Sequence, residues 1–135
     1  MNFSVTQANY TIEANLTVIG QDLLIEITGG NVPHIGTVTT LTKTEKITTN
    51  RFPSHDGRYH KDGVLAEAVA KIIQPQLPGS CTITSGVHVD KISLEQIKAS
   101  KPMSENLGRQ ISQWLQKTTL DSHQPVYYGK NETPK

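Results

Sequence analysis

Tyr10-Thr11-Ile12-Glu13-Ala14-Asn15-Leu16-Thr17-Val18 is the stretch of sequence that decides the fold. Apolar side chains at 12, 14, 16 and 18 alternate with polar ones, which is the period of a strand buried on one face. Gly20-Gln21-Asp22 then turns the chain, and residues 23–28 repeat the alternation. Because alternating strands with a short connection pair antiparallel, the pattern predicts a hairpin, with residues 3–8 as a further strand in front of it.

The strand period continues to about residue 49 and then becomes helical. Residues 37–41 and 45–49 predict a second hairpin, and together the strands predict an antiparallel meander. From Gly63 the apolar positions follow i, i+4, i+7 and i+8, which is one stripe of an amphipathic helix. Asp62 is its predicted N-cap, and Pro75 and Pro78 predict its end. The stripe consists of Leu65, Val69, Ile72 and Ile73.

Capping signals organise the second half of the chain. Residues 80–85 return to a strand pattern. Ser93, with Gln96 three residues later, predicts the start of a short helix through a capping box. Pro102 predicts the end of that helix, and Ser104 the start of another. The apolar stripe of this last helix is Leu107, Ile111, Trp114 and Leu115.

Strands first and helices later predict an α+β fold, a mainly antiparallel β-sheet with two to three helices packed on one face. We expect a single domain over residues 1–118, which is long enough to bury a core. Residues 119–135 are polar apart from Val126, Tyr127 and Tyr128. We expect this C-terminal tail to be mobile or docked on a partner.

Composition narrows the class of protein. Lys and Arg number 13 against 12 Asp and Glu, a net charge of +1, so nucleic acid and anionic membrane are not expected partners. A single cysteine excludes an internal disulfide. The chain begins without a signal-peptide pattern, and no apolar run approaches the length of a membrane span. These features predict a cytoplasmic protein.

Three of the five histidines lie in glycine-flanked segments where a regular element begins or ends. Glycine allows backbone to approach a ligand closely, and imidazole can donate or accept a hydrogen bond near neutral pH. We therefore predict that the three segments converge on one binding pocket. The segments are Gly29-Gly30-Asn31-Val32-Pro33-His34-Ile35-Gly36, His60-Lys61-Asp62-Gly63 and Gly86-Val87-His88.

The second segment precedes the first long helix, and helix N-termini bind phosphate. Arg58, His60 and Lys61 would add charge-assisted bonds there. Ordinary structural readings remain open for all three segments: a wide loop between strands, a solvated loop before a capped helix, and a histidine at a strand end with no ligand.

Catalytic motifs are missing from the sequence. Cys81 lies among alternating strand residues without an adjacent base, so a small core residue is favoured over a nucleophile. A metal-dependent enzyme that uses His34, His60 and His88 is an alternative, although their spacings of 26 and 28 residues match no short metal motif. The chemistry favours binding over catalysis.

The three segments, read as Thr28 to Gly36, His60 to Ala66 and Ser85 to Val89, resemble a known family. It is the small D subunit of bacterial phenolic-acid (gallate, vanillate or 4-hydroxybenzoate) decarboxylase systems, and the resemblance extends from about Thr11 to Leu115. It implies a non-catalytic chaperone that binds reduced prenylated FMN and helps load it into the large decarboxylase subunit. A proteasome-assembly-chaperone-like fold and a homodimer are also implied, with the flavin prenyltransferase as a further candidate partner.

The glycine-flanked segments and the family resemblance predict the same set of cofactor-binding residues. Neither predicts a catalytic or a metal-binding residue. An alternative is a structural or assembly subunit that binds the decarboxylase through its tail. The predicted cofactor-binding residues are Gly29, Gly30, Asn31, Pro33, His34, Gly36, Arg58, His60, Lys61, Gly63, Gly86 and His88.

Overall fold

The computed structural model describes residues 1–53, 63–121 and 123–135, which form a mixed sheet and two α-helices. The helices are α1 (Gly63–Ile73) and α2 (Leu94–Lys117), and a 3₁₀ turn over Gln74–Gln76 follows α1. The strands are β1 (Asn2–Gln7), β2 (Tyr10–Ile19), β3 (Asp22–Gly30), β4 (Thr37–Leu41), β5 (Thr48–Arg51) and β6 (Cys81–His88).

The sheet has the order β1-β2-β3-β6-β4-β5, so the predicted meander is wrong. The hairpins β1–β2, β2–β3 and β4–β5 are antiparallel as predicted, but β6 enters between β3 and β4 and runs parallel to β3. A parallel neighbour requires a long crossover, which the segment containing α1 supplies. Alternation within a strand reports which face is buried and carries no information about which strand lies beside it.

The connection between β4 and β5 is longer than predicted, since β5 begins at Thr48 instead of residue 45. The Thr42 hydroxyl accepts a hydrogen bond from the Glu45 backbone N–H at 3.0 Å. Gln74 Nε2 donates to the carbonyls of Thr42 and Glu45 at 3.0 and 2.8 Å. The loop is therefore held by Gln74 of the 3₁₀ turn after α1, and its Thr42 and Glu45 carbonyls bond that side chain instead of a neighbouring strand.

Helix α1 ends where the prolines predict, and its predicted N-cap, Asp62, lies outside the described residues. Helix α2 begins with the predicted capping box, in which Ser93 and Gln96 bond each other's backbone N–H groups. The predicted break at Pro102 is wrong, because one helix continues through it. Pro102 is exposed, while Ala99 and Met103 on either side of it are buried in the core. Burial on both sides keeps the helix continuous although proline lacks one N–H donor.

Both helices cover the same face of the sheet. Helix α2 packs on β1 and β2, α1 packs on β4, β5 and β6, and the two helices pack on each other. The apolar residues of β2 and β3 at alternate positions are buried, whereas Glu13, Asn15 and Glu26 on the other face are exposed. This arrangement confirms the α+β prediction with the helices on one face. In the part of the chain that the structure describes, no helix combines the length and apolar character needed to span a bilayer.

Candidate functional site

Two of the three predicted segments converge where β3 and β6 end side by side. Gly30 is the register partner of His88 across this parallel pair. Beyond the strands, the Asn31 N–H donates to the His88 carbonyl at 2.6 Å, and the Gly36 N–H donates to the Ser85 carbonyl at 2.8 Å. Residues 29–36 therefore wrap over residues 85–88. The carboxyl ends of parallel strands are a favoured place for ligands in open sheets that contain them.

Glycines at this junction are required by direct backbone contact. A Cβ on Gly86 would collide with the His34 carbonyl, and one on Gly30 would collide with the His88 carbonyl. Gly30 also has a φ of +74°, which other residues rarely adopt. These glycines bring residues 30–36 and 86–88 into close backbone contact, and their predicted role in leaving room for a ligand stays a prediction.

The histidines at this junction each bond a neighbour. His34 Nδ1 donates to the Val32 carbonyl at 2.9 Å, within its own loop. His88 Nε2 donates to the Asp90 carboxylate at 3.0 Å, and the His88 side chain is 52% exposed. The Asp90 N–H in turn donates to the Asn31 side-chain oxygen at 2.9 Å. These hydrogen bonds join the segments that follow β3 and β6 into one hydrogen-bonded unit, formed by residues 31–34 and 88–90.

A cavity of about 370 Å³ lies against this unit, within the size range of small-molecule sites. Four predicted residues line it: Gly29, Gly30, Asn31 and Pro33. The remaining described lining residues were missed by the sequence analysis and come mainly from the β1–β2 turn and β2: Asn9, Tyr10, Thr11, Glu13, Thr28 and Val89. Their proximity follows from the β2–β3 register, which pairs Glu13 with Thr28.

The other predicted residues lie elsewhere or cannot be placed. His34 and Gly36 belong to the adjoining loop, Gly86 and His88 belong to the end of β6, and none of the four lines this cavity. Gly63 begins α1, where an added Cβ would meet the Thr49 side chain. Arg58, His60 and Lys61 lie outside the described residues.

The β1–β2 turn at the cavity rim is strained and tightly held. Ala8 and Asn9 adopt positive φ values of 53° and 63°, which non-glycine residues rarely do. Gln96 Nε2 donates to the Ala8 carbonyl at 3.0 Å, and the Tyr10 hydroxyl donates to the Gln96 carbonyl at 2.9 Å. Burial raises the pKa of the Tyr10 hydroxyl, and a hydrogen bond with Ser100 partly opposes that rise. The start of α2 therefore fixes one wall of the cavity.

Comparison with known proteins identifies the family. Residues 6–116 match the prenylated flavin chaperone LpdD-like domain. The chain belongs to the prenylated flavin chaperone LpdD-like family. Protein LpdD of Lactiplantibacillus plantarum is 53% identical over 133 residues, which cover 98% of each chain. The family predicted from the glycine-flanked segments is confirmed, and membership supports an accessory chaperone role.

In this LpdD-like chain the described cavity lining is polar and carries one ionisable carboxylate. Glu13 and the Thr11 and Thr28 hydroxyls lie on the open face of the sheet, beside loop backbone and the Asn9 amide. Such groups suit a planar heterocycle with donors and acceptors along its edge. A phosphate is disfavoured beside Glu13, because like charges repel.

Two further sequence predictions concern reactive groups. Cys81 is buried at the opposite end of β6, and burial raises the pKa of its thiol to about 12, which confirms a core residue in place of a nucleophile. Among residues 1–53, 63–121 and 123–135, no group of three or more His, Cys, Asp or Glu side chains is arranged to hold a metal ion.

Proposed function

We propose that this protein binds reduced prenylated FMN and assists its delivery to, and activation of, a prenylated-FMN-dependent phenolic-acid decarboxylase, without catalysing a reaction itself. The observation that carries the proposal is the cavity beside residues 29–33, in a chain of the prenylated flavin chaperone family. The large decarboxylase subunit is the proposed recipient, and the flavin prenyltransferase is a candidate donor. We further propose a cytoplasmic homodimer with a proteasome-assembly-chaperone-like fold.

The chemistry of the lining supports this cargo. The Glu13 carboxylate can accept hydrogen bonds from ring N–H groups, and the Asn9 amide can bond ring carbonyls. The ring edge is therefore expected at Glu13, with the phosphate directed away from it. Arg58 and Lys61 remain the predicted phosphate partners, since their charges would offset that of the phosphate.

A carrier must also release its cargo. The described lining holds the ligand through neutral hydroxyls, amides and one carboxylate, without a cation among the described residues. Few charged contacts favour fast dissociation, and affinity is tuned mainly through the dissociation rate. Such a surface suits transient holding better than permanent retention.

An anaerobic titration of the purified protein with reduced prenylated FMN tests the proposal. We expect saturable binding seen as a change in flavin absorbance and as co-elution with the protein. Glu13→Ala should weaken binding about tenfold, the loss expected when one hydrogen bond to a charged group is removed. Glu26→Ala is the matched control, because Glu26 is an exposed carboxylate of the same sheet outside the cavity lining. Absence of binding by the wild-type protein would overturn the proposal.

The histidines are tested separately. His34→Ala and His60→Ala should each lower the affinity for the flavin while the far-ultraviolet circular dichroism spectrum stays unchanged. We expect the His34 side chain to act indirectly, by holding the loop in place. Its ring bonds the Val32 carbonyl, next to the cavity-lining Pro33. Unchanged affinity in both variants would remove these side chains from the site.

An assembly subunit is the second candidate, favoured by the exposed apolar residues of the tail. Val126, Tyr127 and Tyr128 are 90, 82 and 61% exposed, and aromatic residues are enriched in protein interfaces. A variant that ends at Thr118 should still bind flavin but fail to co-elute with the decarboxylase if this candidate is correct. Normal complex formation by the shortened chain would contradict it.

A further inference from the structure

Strand β1 forms one edge of the sheet: it pairs with β2, and no further strand pairs with its outer side among the described residues. Met1 exchanges backbone hydrogen bonds with Leu16, at 2.8 and 3.1 Å. Because bonding direction alternates along an antiparallel strand, the odd residues of β1 bond β2, and the peptide groups of Asn2, Ser4 and Thr6 point outward. The Ser4 carbonyl accepts a weak bond from Gln110 Nε2 at 3.3 Å, which agrees with that direction.

Edge strands in soluble proteins are usually shielded by charge, proline or a bulge. The segment Met1-Asn2-Phe3-Ser4-Val5-Thr6-Gln7 contains no charged side chain and no proline. Its register with β2 is regular from Asn2 to Gln7, without a bulge. The outer edge of β1 is thus a ready acceptor for one more strand.

The tail of the same chain contains a matching donor, the segment Val126, Tyr127 and Tyr128. Its three side chains are 90, 82 and 61% exposed, so they do not pack on their own domain. Valine and tyrosine have high β-propensity. Leu120 packs against the core, which fixes the base of the tail close to the body. An extended apolar segment held at one end and otherwise exposed is suited to strand addition.

We propose that the Val126–Tyr128 segment of one copy pairs as an added strand with the outer edge of β1 in a second copy. A single contact then satisfies both features: the outward peptide groups at residues 2, 4 and 6, where the added strand replaces the weak Gln110 bond to the Ser4 carbonyl, and the apolar segment 126–128. A second copy is favoured over an unrelated partner because donor and acceptor belong to one chain, and two copies can exchange the contact reciprocally. This names the contact for the proposed homodimer, and its test does not use flavin.

Disulfide trapping between two separately prepared variants tests the contact. Ser4→Cys lies at the acceptor edge, and Tyr127→Cys lies in the donor segment. Cys81 is the single native cysteine and is buried with a pKa of about 12, so it stays out of thiol exchange. After mixing and mild oxidation with copper phenanthroline, we expect a covalent dimer of the two variants on a non-reducing gel. The matched control replaces Ser4→Cys by Glu26→Cys, an exposed residue of β3, which is flanked by β2 and β6, and should give at least tenfold less dimer.

A second measurement covers the case in which oxidation itself fails. The triple variant Val126→Ser, Tyr127→Ser, Tyr128→Ser should elute with the 14.8 kDa mass of one chain in light scattering, and the wild-type protein with twice that mass. A wild-type monomer, or a triple variant that remains dimeric, overturns the proposal. A Ser4→Cys protein that forms disulfide dimers with itself, without reacting with Tyr127→Cys, also overturns it, because that outcome indicates edge-to-edge pairing of β1.

Discussion

The two ends of the parallel pair β3–β6 use glycine in different ways. At the start, where Leu23 pairs with Cys81, Gly20 turns the chain with a φ of +62° and nothing within 4 Å of an added Cβ. At the finish, Gly30 and Gly86 lie against the backbone of the opposite loop. Gly79 at the starting end also lies close to its neighbours, Asp22 Oδ1 and the Gln21 carbonyl, so both ends contain a glycine in tight contact, but only the finishing end has glycines that line the cavity.

The difference shows how a turn and a binding junction can be told apart. The starting end is closed by two hydrogen bonds: the Ser80 N–H donates to the Asp22 carboxylate and the Leu23 N–H donates to the Ser80 carbonyl, both at 2.9 Å. The finishing end is closed by two interlocked loops beside a cavity. We therefore expect substitutions at the start to change stability alone and substitutions at the finish to change flavin binding as well.

Gly86→Ala should have the largest effect. The new methyl group would displace the His34 carbonyl, and overpacking of this kind costs about 1–3 kcal/mol. We expect a lower urea midpoint together with loss of detectable flavin binding at concentrations that saturate the wild-type protein. Wild-type flavin affinity in a folded Gly86→Ala protein would contradict the expectation that substitutions at this end change binding as well as stability.

Gly20→Ala is the matched substitution at the other end. It has space for the methyl group, but its positive φ places alanine in a left-handed conformation that costs about 1–2 kcal/mol. Urea denaturation should detect that loss, and the flavin titration should be unchanged. A change in affinity would mean that the two ends are coupled through the strands.

Asn31→Ala should give a smaller loss of stability and a change in binding. It removes the acceptor of the Asp90 N–H, worth about 1 kcal/mol, and one residue of the cavity lining. We expect a several-fold weaker affinity at nearly normal stability. Asn31→Asp, which retains an acceptor oxygen, should restore the stability and separates the loop contact from the lining role.

Asp22→Ala should have the smallest effect. Its carboxylate bonds the Ser80 N–H at an exposed position, so we expect a loss of about 0.5 kcal/mol. Flavin affinity should equal that of the wild type in the same titration. Weaker binding would contradict the assignment of this end to structure alone.

Local patterns predicted the strands, the hairpins, α1 and the capping box at Ser93, because each depends on neighbours in sequence. The position of β6 between β3 and β4 was not predicted, since it depends on contacts between residues far apart in sequence. The continuity of α2 through Pro102 was missed for a related reason. Burial of Ala99 and Met103 in the tertiary structure outweighs the local preference of proline.

Four of the predicted cofactor-binding residues, Gly29, Gly30, Asn31 and Pro33, line the candidate cavity. The glycines drew attention to residues 29–36 and 86–88, at the C-terminal ends of β3 and β6, because glycine is typical of close backbone contact. The wall formed by Asn9, Thr11 and Glu13 was missed, since these residues belong to an ordinary alternating hairpin. Only the register that pairs Glu13 with Thr28 brings them to the cavity.

Strand β6 joins the two parts of the sheet, and its position has a consequence for biosynthesis. It bonds β3 on one side and β4 on the other, although about 50 residues separate it from β3 in the chain. Pairings between distant segments form late and slowly. A nascent polypeptide that has emerged only to β5 has the first hairpins but lacks β6, whose His88 carbonyl bonds the cavity-lining Asn31. Under the proposed function, a chain still on the ribosome would therefore not capture flavin, and capture would be restricted to molecules that have finished folding.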